Sequence, residues 1–112
     1  MFQLGTCGTE IHPALEQRPG DIQFTKHRVS PFYSTTLMAQ LSAAGIRRIY
    51  CCGVATQAVV QACVRDAHDR HFEVVVIEDA CCAHSEQEHQ NSIQRIARLG
   101  TVEKAATVNF AA

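Results

Sequence analysis

A strand, a tight turn and a helix follow one another in the segment that decides the fold, Tyr50–Ala67, YCCGVATQAVVQACVRDA. Gly53 and the small residues after it predict the turn, because glycine adopts backbone angles that other residues avoid. From Thr56 onward the apolar residues recur at helical spacing and predict one buried helix face. These residues are Val60, Cys63, Val64 and Ala67. A strand that passes so directly into a helix is typical of α/β proteins.

Another strand and another helix are predicted on the N-terminal side. Asp21–Thr25 (DIQFT) alternates polar and apolar residues, which indicates a short strand. A helix is then expected to begin at Ser34 or Thr35, either of which can act as N-cap, and to end at Gly45. The strand of the opening segment follows and is expected to span Ile46–Cys52.

The same alternation continues on the C-terminal side. Phe72–Ile77 (FEVVVI) predicts a strand covered on both faces, ending at Glu78–Asp79. Ser85–Glu88 (SEQE) is a capping box that begins a helix running to Gly100. A last strand is expected near Ala106–Val108.

Strands that alternate with helices through short connections run parallel and are joined by right-handed crossovers. We therefore predict an α/β protein, a three-layer sandwich with a parallel sheet and helices on both faces. The 112 residues suit a single domain. In such sheets ligands bind beyond the carboxyl ends of the strands.

Composition narrows the function classes. Ten basic and eleven acidic residues are mixed along the chain, leaving a formal charge of −1 and no basic face for a phosphate backbone. No nucleic-acid partner is expected. No apolar run approaches the roughly 20 residues that cross a bilayer, and MFQLGTCGTE lacks the features of a secretory signal. We expect a cytoplasmic protein without a membrane partner.

Two features at predicted strand ends could carry chemistry. Lys26 closes the predicted strand Asp21–Thr25, where an ammonium group could hold an oxyanion or a leaving group; position alone favours the alternative of a solvated lysine. The turn Gly53–Thr56 places backbone amides at a helix N-terminus, which suits an anion. Its alternative is an ordinary connection with Thr56 as N-cap.

The six cysteines predict neither a metal site nor a disulfide framework. They lie within periodic apolar segments, so we expect reduced thiols. Cys51 and Cys52 point to opposite faces of a strand and cannot both ligate one metal, and the chain has no C-x-x-C pair. Cys63 lies on the apolar helix face and is expected to fill the core. Asp66 and Asp79 are expected to anchor neighbouring backbone.

Three blocks of the sequence carry a resemblance to a known family. They are KHRVSPFYSTTL (26–37), GIRRIYCCGVATQAVVQACVRDAHDRHFEVVVIEDACCAHSEQEH (45–89) and SIQRIARLGTV (92–102). These blocks resemble the isochorismatase-like family, the cysteine hydrolase superfamily that includes nicotinamidases, other amidohydrolases and isochorismatases. The resemblance implies a Rossmann-like three-layer sandwich with its active site at the carboxyl edge of the sheet. It implies a small-molecule substrate and no cofactor.

The resemblance also implies roles for individual residues. Cysteine-dependent members of the family use an aspartate, a lysine and a cysteine in that chain order, and Lys26 matches the lysine. The family's turn typically contains a non-proline cis peptide, which falls between Val54 and Ala55 here. The amides of Ala55 and Val59 are expected to form the oxyanion hole, and Thr56 is expected to line the substrate site.

The sequence departs from the family pattern in two ways. Valine occupies the nucleophile position, Val59, which argues against acyl transfer to a thiol. Isochorismatases proper also lack the cysteine and hydrolyse a vinyl ether by protonation from the aspartate. Moreover, residues 1–112 begin after the family's first two strands, and the first of these carries the aspartate. The chain is therefore expected to be the C-terminal portion of the hydrolase domain, with the edge of Ile46–Cys52 exposed.

Three functions remain open from the sequence. The leading one is an isochorismatase-family hydrolase of a vinyl ether or a C–N bond, impaired where the aspartate and cysteine are absent. The second is a non-catalytic binding or assembly module with the same fold. The third, which the sequence supports least, is a redox device built from cysteines. Because the C-terminal portion of the domain would leave apolar surface exposed, a homo-oligomer is expected.

Overall fold

The computed structural model describes residues 4–110 and contains one parallel sheet. Its strands lie in the order β1 (Arg48–Val54), β2 (Glu73–Cys82) and β3 (Thr101–Glu103). The α-helices are α1 (Leu37–Ala43), α2 (Gln61–Asp69) and α3 (Glu86–Ile96), and a π-helical turn, Thr56–Val60, leads into α2. Short 3-10 turns occupy Cys7–Thr9 and Pro13–Leu15. No helix in the described residues combines the length and apolar character that crossing a lipid bilayer requires.

The parallel sheet with its crossover helices confirms the predicted α/β class. Val74 and Val76 of β2 are buried on one face, and α2 and α3 pack against them. Leu37 and Leu41 of α1 contact the same cluster. The buried members of this core cluster are Phe32, Val60, Cys63, Val64, Ala67, Val74, Val76, Ile93 and Ile96.

The opposite face of the sheet is covered by an irregular segment, residues 104–110. Val75 points to this face and is buried beneath it. Tyr50 of β1 makes an edge-on ring contact with Phe110, with centroids 4.7 Å apart, and its hydroxyl donates to the carbonyl oxygen of Asn109 at 3.2 Å. In residues 4–110 this segment, and not a helix, is the outer layer on that face.

The helix predicted to end at Gly45 is confirmed as α1, but its N-cap is Thr36 and not Ser34 or Thr35. Gly45 ends it with a φ of 68°, a left-handed angle that glycine adopts without a Cβ clash. The N–H of Gly45 donates to the carbonyl oxygen of Ser42 at 3.1 Å, and the N–H of Ile46 donates to the carbonyl oxygen of Leu41 at 3.0 Å. This pair of hydrogen bonds is the Schellman motif.

Both long strands run further toward their carboxyl ends than the sequence predicts. β1 ends at Val54 and β2 at Cys82, so the prediction that Glu78 and Asp79 end β2 is wrong. The ladder resumes after a register shift, with Val54 opposite Cys82. Glu78 and Asp79 stay in the strand because residues 104–105 provide partners for their carboxylates. Lys104 pairs with Glu78 at 3.0 Å, and Asp79 accepts from the N–H of Ala105 at 2.8 Å.

Two predicted strands are wrong. Asp21–Thr25 forms no ladder within residues 4–110, because an alternating pattern makes a strand only beside a partner with free hydrogen-bonding groups. Ala106–Val108 is a turn, in which the N–H groups of Thr107 and Val108 both bond to the carbonyl oxygen of Lys104. The third strand is Thr101–Glu103, directly after Gly100.

We expect Gly100→Ala to lower the free energy of unfolding by about 1–3 kcal/mol, the usual cost of overpacking. A Cβ at this position would lie 2.8 Å from the carbonyl oxygen of Val74, and backbone cannot swing aside as a side chain can. Urea denaturation measures the loss. Gln94→Ala, at an exposed position of α3, is the control. Equal losses in the two variants would contradict the steric explanation.

Candidate active site at the carboxyl edge of the sheet

The turn after β1 is built around a single backbone carbonyl. The peptide bond between Val54 and Ala55 is cis, as the family resemblance predicts. Ala55 is extended and caps the helix, and its carbonyl oxygen accepts from the N–H groups of Ala58 at 3.1 Å and Val60 at 3.3 Å. The first N–H groups of a helix lack partners within it and carry the positive end of its dipole. The turn can therefore present donors to an anionic oxygen.

A buried hydrogen bond holds this turn against α3. Thr56 is completely buried, and its Oγ1 lies 2.9 Å from Nδ1 of His89, which is also buried. Because neither group can turn to water, the pair fixes how far the turn sits from the helix. Thr56 thus acts through its side chain inside the protein, and the prediction that it lines a substrate site stays untested.

Val59 lies half-buried between Thr56 and Val60, at the position where the family pattern has its nucleophile. Its side chain is hydrocarbon and can neither attack a carbonyl nor transfer a proton. What this position can offer a substrate is its backbone amide and an apolar surface. Val54, on the other side of the cis peptide, is 74% exposed.

Lys26 does not close a strand, because Asp21–Thr25 is irregular. The lysine is half-buried, and its Nζ donates to the carbonyl oxygen of Arg28 at 2.9 Å. It lines a cleft of about 440 Å³ with N-terminal residues such as Glu10 and Phe24. None of Ala55, Thr56 or Val59 lines that cleft. The structure therefore brings the turn residues together but leaves Lys26 in a separate cavity.

A second cleft, of about 420 Å³, lies beyond the carboxyl end of β2. Its polar lining includes Glu78, Asp79, His84, Ser85, His89 and Lys104. The hydroxyl of Ser85 accepts from the N–H of Glu88 at 3.2 Å, which confirms it as the N-cap of α3. His89 links this cleft to the turn after β1. The two edges of the candidate site therefore meet at one histidine.

Sequence reasoning missed this role of His89. The six histidines show no repeated spacing among themselves, so their spacing indicates no shared site. The informative signal was a different one: His89 lies at helical spacing from Ile93 and Ile96, so it faces the core with them. A polar residue on an apolar helix face must find a buried partner, but the sequence does not say which one.

Asp79 anchors neighbouring backbone, as predicted, but Asp66 binds side chains instead, and neither aspartate is buried. Asp66 accepts a very short hydrogen bond from the hydroxyl of Ser30 and pairs with Arg70 at 3.4 Å. Arg70 also lies over the ring of Phe32 at 5.1 Å. These contacts attach the loop after Lys26 to α2. Asp79 holds the backbone of Ala105, as described above.

The cysteines of the described residues are all free thiols, as predicted. Cys63 is buried in the core and Cys52 is exposed, whereas Cys51 and Cys81 are partly buried. A hydrogen bond to Cys63, together with burial, raises the pKa of the Cys51 thiol. The same hydrogen bond lowers the pKa of Cys63, against the effects of burial and of Asp66. Within residues 4–110, no cluster of His, Cys, Asp and Glu side chains could hold a metal ion.

This combination of a parallel sheet, a tight turn and a helix N-terminus at the carboxyl edge is typical of α/β proteins that bind ligands beyond their strand ends. Comparison with known families identifies it further. Residues 1–107 match the Isochorismatase domain, and the chain belongs to the isochorismatase family.

Individual relatives agree with this assignment. The chain is 41% identical over 98 residues to YecD of Escherichia coli O157:H7, an uncharacterised isochorismatase family protein, covering 83% of this chain and 52% of the relative. It is 40% identical over 76 residues to RutB, a ureidoacrylate amidohydrolase of Methylorubrum extorquens, covering 68% and 31%. A solved isochorismatase family protein from Burkholderia thailandensis superposes with a TM-score of 0.84 at 36% identity, covering 87% and 52%. The chain thus spans about half the length of YecD and a third of RutB.

We expect Thr56→Val to lower the free energy of unfolding by about 1–3 kcal/mol, because it leaves the buried Nδ1 of His89 without its partner. The double variant Thr56→Val/His89→Leu should lose less free energy of unfolding than the two single variants lose together, because it leaves neither polar group unpaired. A double-mutant cycle in urea measures this coupling. Thr25→Val, at an exposed position, is the control. Strict additivity would mean that the two side chains do not interact in solution.

Proposed function

We propose that the complete protein is a hydrolase acting on a small molecule, and that this chain supplies its oxyanion-binding turn. The observation that carries the proposal is the turn after β1, in which Ala55 caps a helix and which Thr56 and His89 hold in place. A fixed set of backbone donors costs no reorganisation when charge develops on a substrate oxygen. That property serves hydrolysis better than simple binding.

In this proposal the N–H groups of Ala55 and Val59 donate to the oxygen on which negative charge accumulates. The positive end of the helix that begins at Thr56 adds to their effect. One such donor typically contributes about 10²–10³ in rate. The hydrocarbon side chain of Val59 keeps water away from the same oxygen, which strengthens the donors because the local dielectric falls.

The acid or base is proposed to be a carboxylate that a longer form of the protein supplies, with Lys26 giving electrostatic support. Two features favour these roles for the carboxylate and the lysine. Val59 removes the thiol route, so the chemistry has to run through proton transfer. Lys26 is half-buried and its Nζ is bonded to only one backbone carbonyl among the contacts described, leaving donors for an acidic partner.

Two bond types remain candidates for the substrate. The name of RutB, an amidohydrolase, favours a C–N bond by similarity. The valine at position 59 favours a vinyl ether, whose hydrolysis begins with protonation and needs no nucleophilic side chain. We propose that a small neutral substrate bound at the turn extends toward the cleft beyond β2, where His84 and Lys104 lie among the carboxylates of Glu78, Asp79 and Glu86.

A second candidate function is a non-catalytic binding or assembly module. It is favoured by the separation of Lys26 from the turn and by the exposed apolar side chain of Val54. The expected homo-oligomer would cover such surface. The cytoplasmic location and the oligomer both remain predictions.

We expect Lys26→Ala to lower kcat/KM by about 100-fold or more on the substrate that is turned over, because it removes a fixed positive charge. Amides, vinyl ethers and esters are assayed with this chain and with a form that includes its upstream in-frame sequence. Arg98→Ala, on the exposed end of α3, is the control. Turnover that survives Lys26→Ala unchanged would remove the lysine from the mechanism, and no turnover by either form would favour the binding module.

We expect hydrolysis to survive alkylation of the accessible thiols with iodoacetamide, since valine occupies the nucleophile position. Activity and the extent of labelling are followed together. Cys82→Ser serves as control, because Cys82 is exposed and lines the cleft beyond β2, where a bulky adduct could block the substrate. Loss of activity in step with modification of one cysteine, in the wild type and in Cys82→Ser alike, would contradict a thiol-free mechanism.

A further inference from the structure

The ring of His89 has two nitrogen atoms, and the fold gives them different surroundings. Nδ1 lies 2.9 Å from Oγ1 of Thr56, which is completely buried. The ring edge opposite Nδ1 carries Nε2, and His89 also lines the cleft of about 420 Å³ beyond β2. One edge of the ring therefore faces the turn after β1, and the other faces the cleft.

Nε2 of His89 has no protein partner in the part of the chain that the structure describes. The side-chain hydrogen bond of His89 there is the one to Thr56. Yet Nε2 is not among the fully enclosed polar atoms of these residues that lack a partner. It is therefore open to the cleft, although the residue as a whole is only 8% exposed. A polar atom held at a cleft wall in this way is available to a ligand.

The surroundings of Thr56 decide which ring nitrogen carries the proton. A neutral imidazole has one N–H and one bare nitrogen, and a hydroxyl has one hydrogen to donate. Within residues 4–110, His89 is the hydrogen-bond partner of the Thr56 hydroxyl. If Nδ1 carried the proton, the hydroxyl hydrogen would be left unpaired in the core, which is unfavourable. The hydroxyl therefore donates to Nδ1, and the proton is on Nε2.

The walls of the cleft indicate what this N–H would meet. Three carboxylates and one ammonium group line the cleft, namely Glu78, Asp79, Glu86 and Lys104. Lys104 is paired with Glu78 at 3.0 Å, so negative charge predominates in the lining. An anionic ligand would be repelled by this charge. A neutral carbonyl oxygen can accept from Nε2 without that repulsion.

We propose that Thr56 holds His89 in the tautomer with the proton on Nε2, and that this N–H donates to the carbonyl oxygen of a neutral small molecule in the cleft beyond β2. His89 then determines specificity, because a fixed donor at the wall selects ligands with an acceptor at that place. The binding role rests on the proposed function, since it takes this cleft to be part of the substrate site. The tautomer is independent of that function.

Thr56 is the positioning residue in this arrangement. Because Thr56 and His89 are both buried, the ring cannot turn over without breaking their hydrogen bond. A donor that is already fixed loses less freedom on binding than a mobile side chain does. His84 lines the same cleft but is exposed, so it provides a matched comparison. The bond that places the turn therefore also orients the donor.

The tautomer is measured by NMR on the folded 112-residue chain labelled with ¹⁵N-histidine. Two-bond ¹H–¹⁵N spectra distinguish a protonated ring nitrogen from a bare one, and an ordinary histidine is neutral at about pH 8. Signals that His89→Asn removes belong to His89. The expected spectrum shows a protonated Nε2 and a bare Nδ1. Thr56→Ser keeps the hydroxyl and should preserve this state, whereas Thr56→Val should populate both tautomers.

Acetamide and acetate are the probes for the cleft, because they have the same shape and differ in charge. Acetamide should shift the Nε2 resonance of His89 in a saturable manner and should bind more tightly than acetate. The amide of His89→Asn can still meet Thr56 but does not reach the place of Nε2. This variant should bind acetamide about 2–10-fold more weakly, the effect of one neutral hydrogen bond. Backbone amide shifts around the cleft measure that affinity.

The matched control is His84→Asn, which should bind acetamide as the wild type does. Circular dichroism verifies that both asparagine variants are folded. A chain that shows the expected tautomer and acetamide binding, but hydrolyses no amide, vinyl ether or ester, would support this role of His89 and contradict the proposed hydrolase. The two proposals can therefore fail separately.

Other results would overturn the proposal. A protonated Nδ1 would mean that Thr56 accepts the hydrogen bond and that Nε2 is a bare acceptor. The absence of a saturable shift with acetamide, or equal affinity for acetate, would remove the neutral carbonyl ligand. Unchanged acetamide affinity in folded His89→Asn would show that the ligand binds without His89.

Discussion

The parallel ladder between β1 and β2 is the constraint on which the rest of this structure depends. It places Ile49 opposite Val74 and Cys51 opposite Val76, so that one apolar face is continuous across both strands. Helices α2 and α3 can bury that face only together, because each contributes part of the cover. Fully burying a valine or isoleucine side chain contributes about 1.5–3 kcal/mol, and the core holds several of each.

The same ladder assembles the candidate site. After its register shift it resumes at Gly53 and Cys81 and ends at Val54 and Cys82, so the carboxyl ends of both strands stop at the same level. The turn that follows β1 and the helix that follows β2 are therefore neighbours, and His89 reaches Thr56 between them. A functional edge arises here as a consequence of strand pairing. One buried polar pair, Thr56 and His89, then fixes the position of the turn relative to α3.

The turn can therefore present backbone donors to a substrate. Its amides suit an oxyanion. Valine at position 59 adds no reactive group to the turn, so the backbone is what the turn offers to the proposed chemistry.

Local spacing and capping residues are sufficient to predict the α/β class, the helix that ends at Gly45, the buried face of α2 and the cap of α3. Packing between distant segments sets where the strands end, which segment pairs as the third strand, that Lys26 and the turn occupy separate cavities, and which polar residues meet. The Thr56–His89 contact illustrates the reason. A local pattern records which face of an element is buried, but the partner across the core is set by register and packing between distant segments.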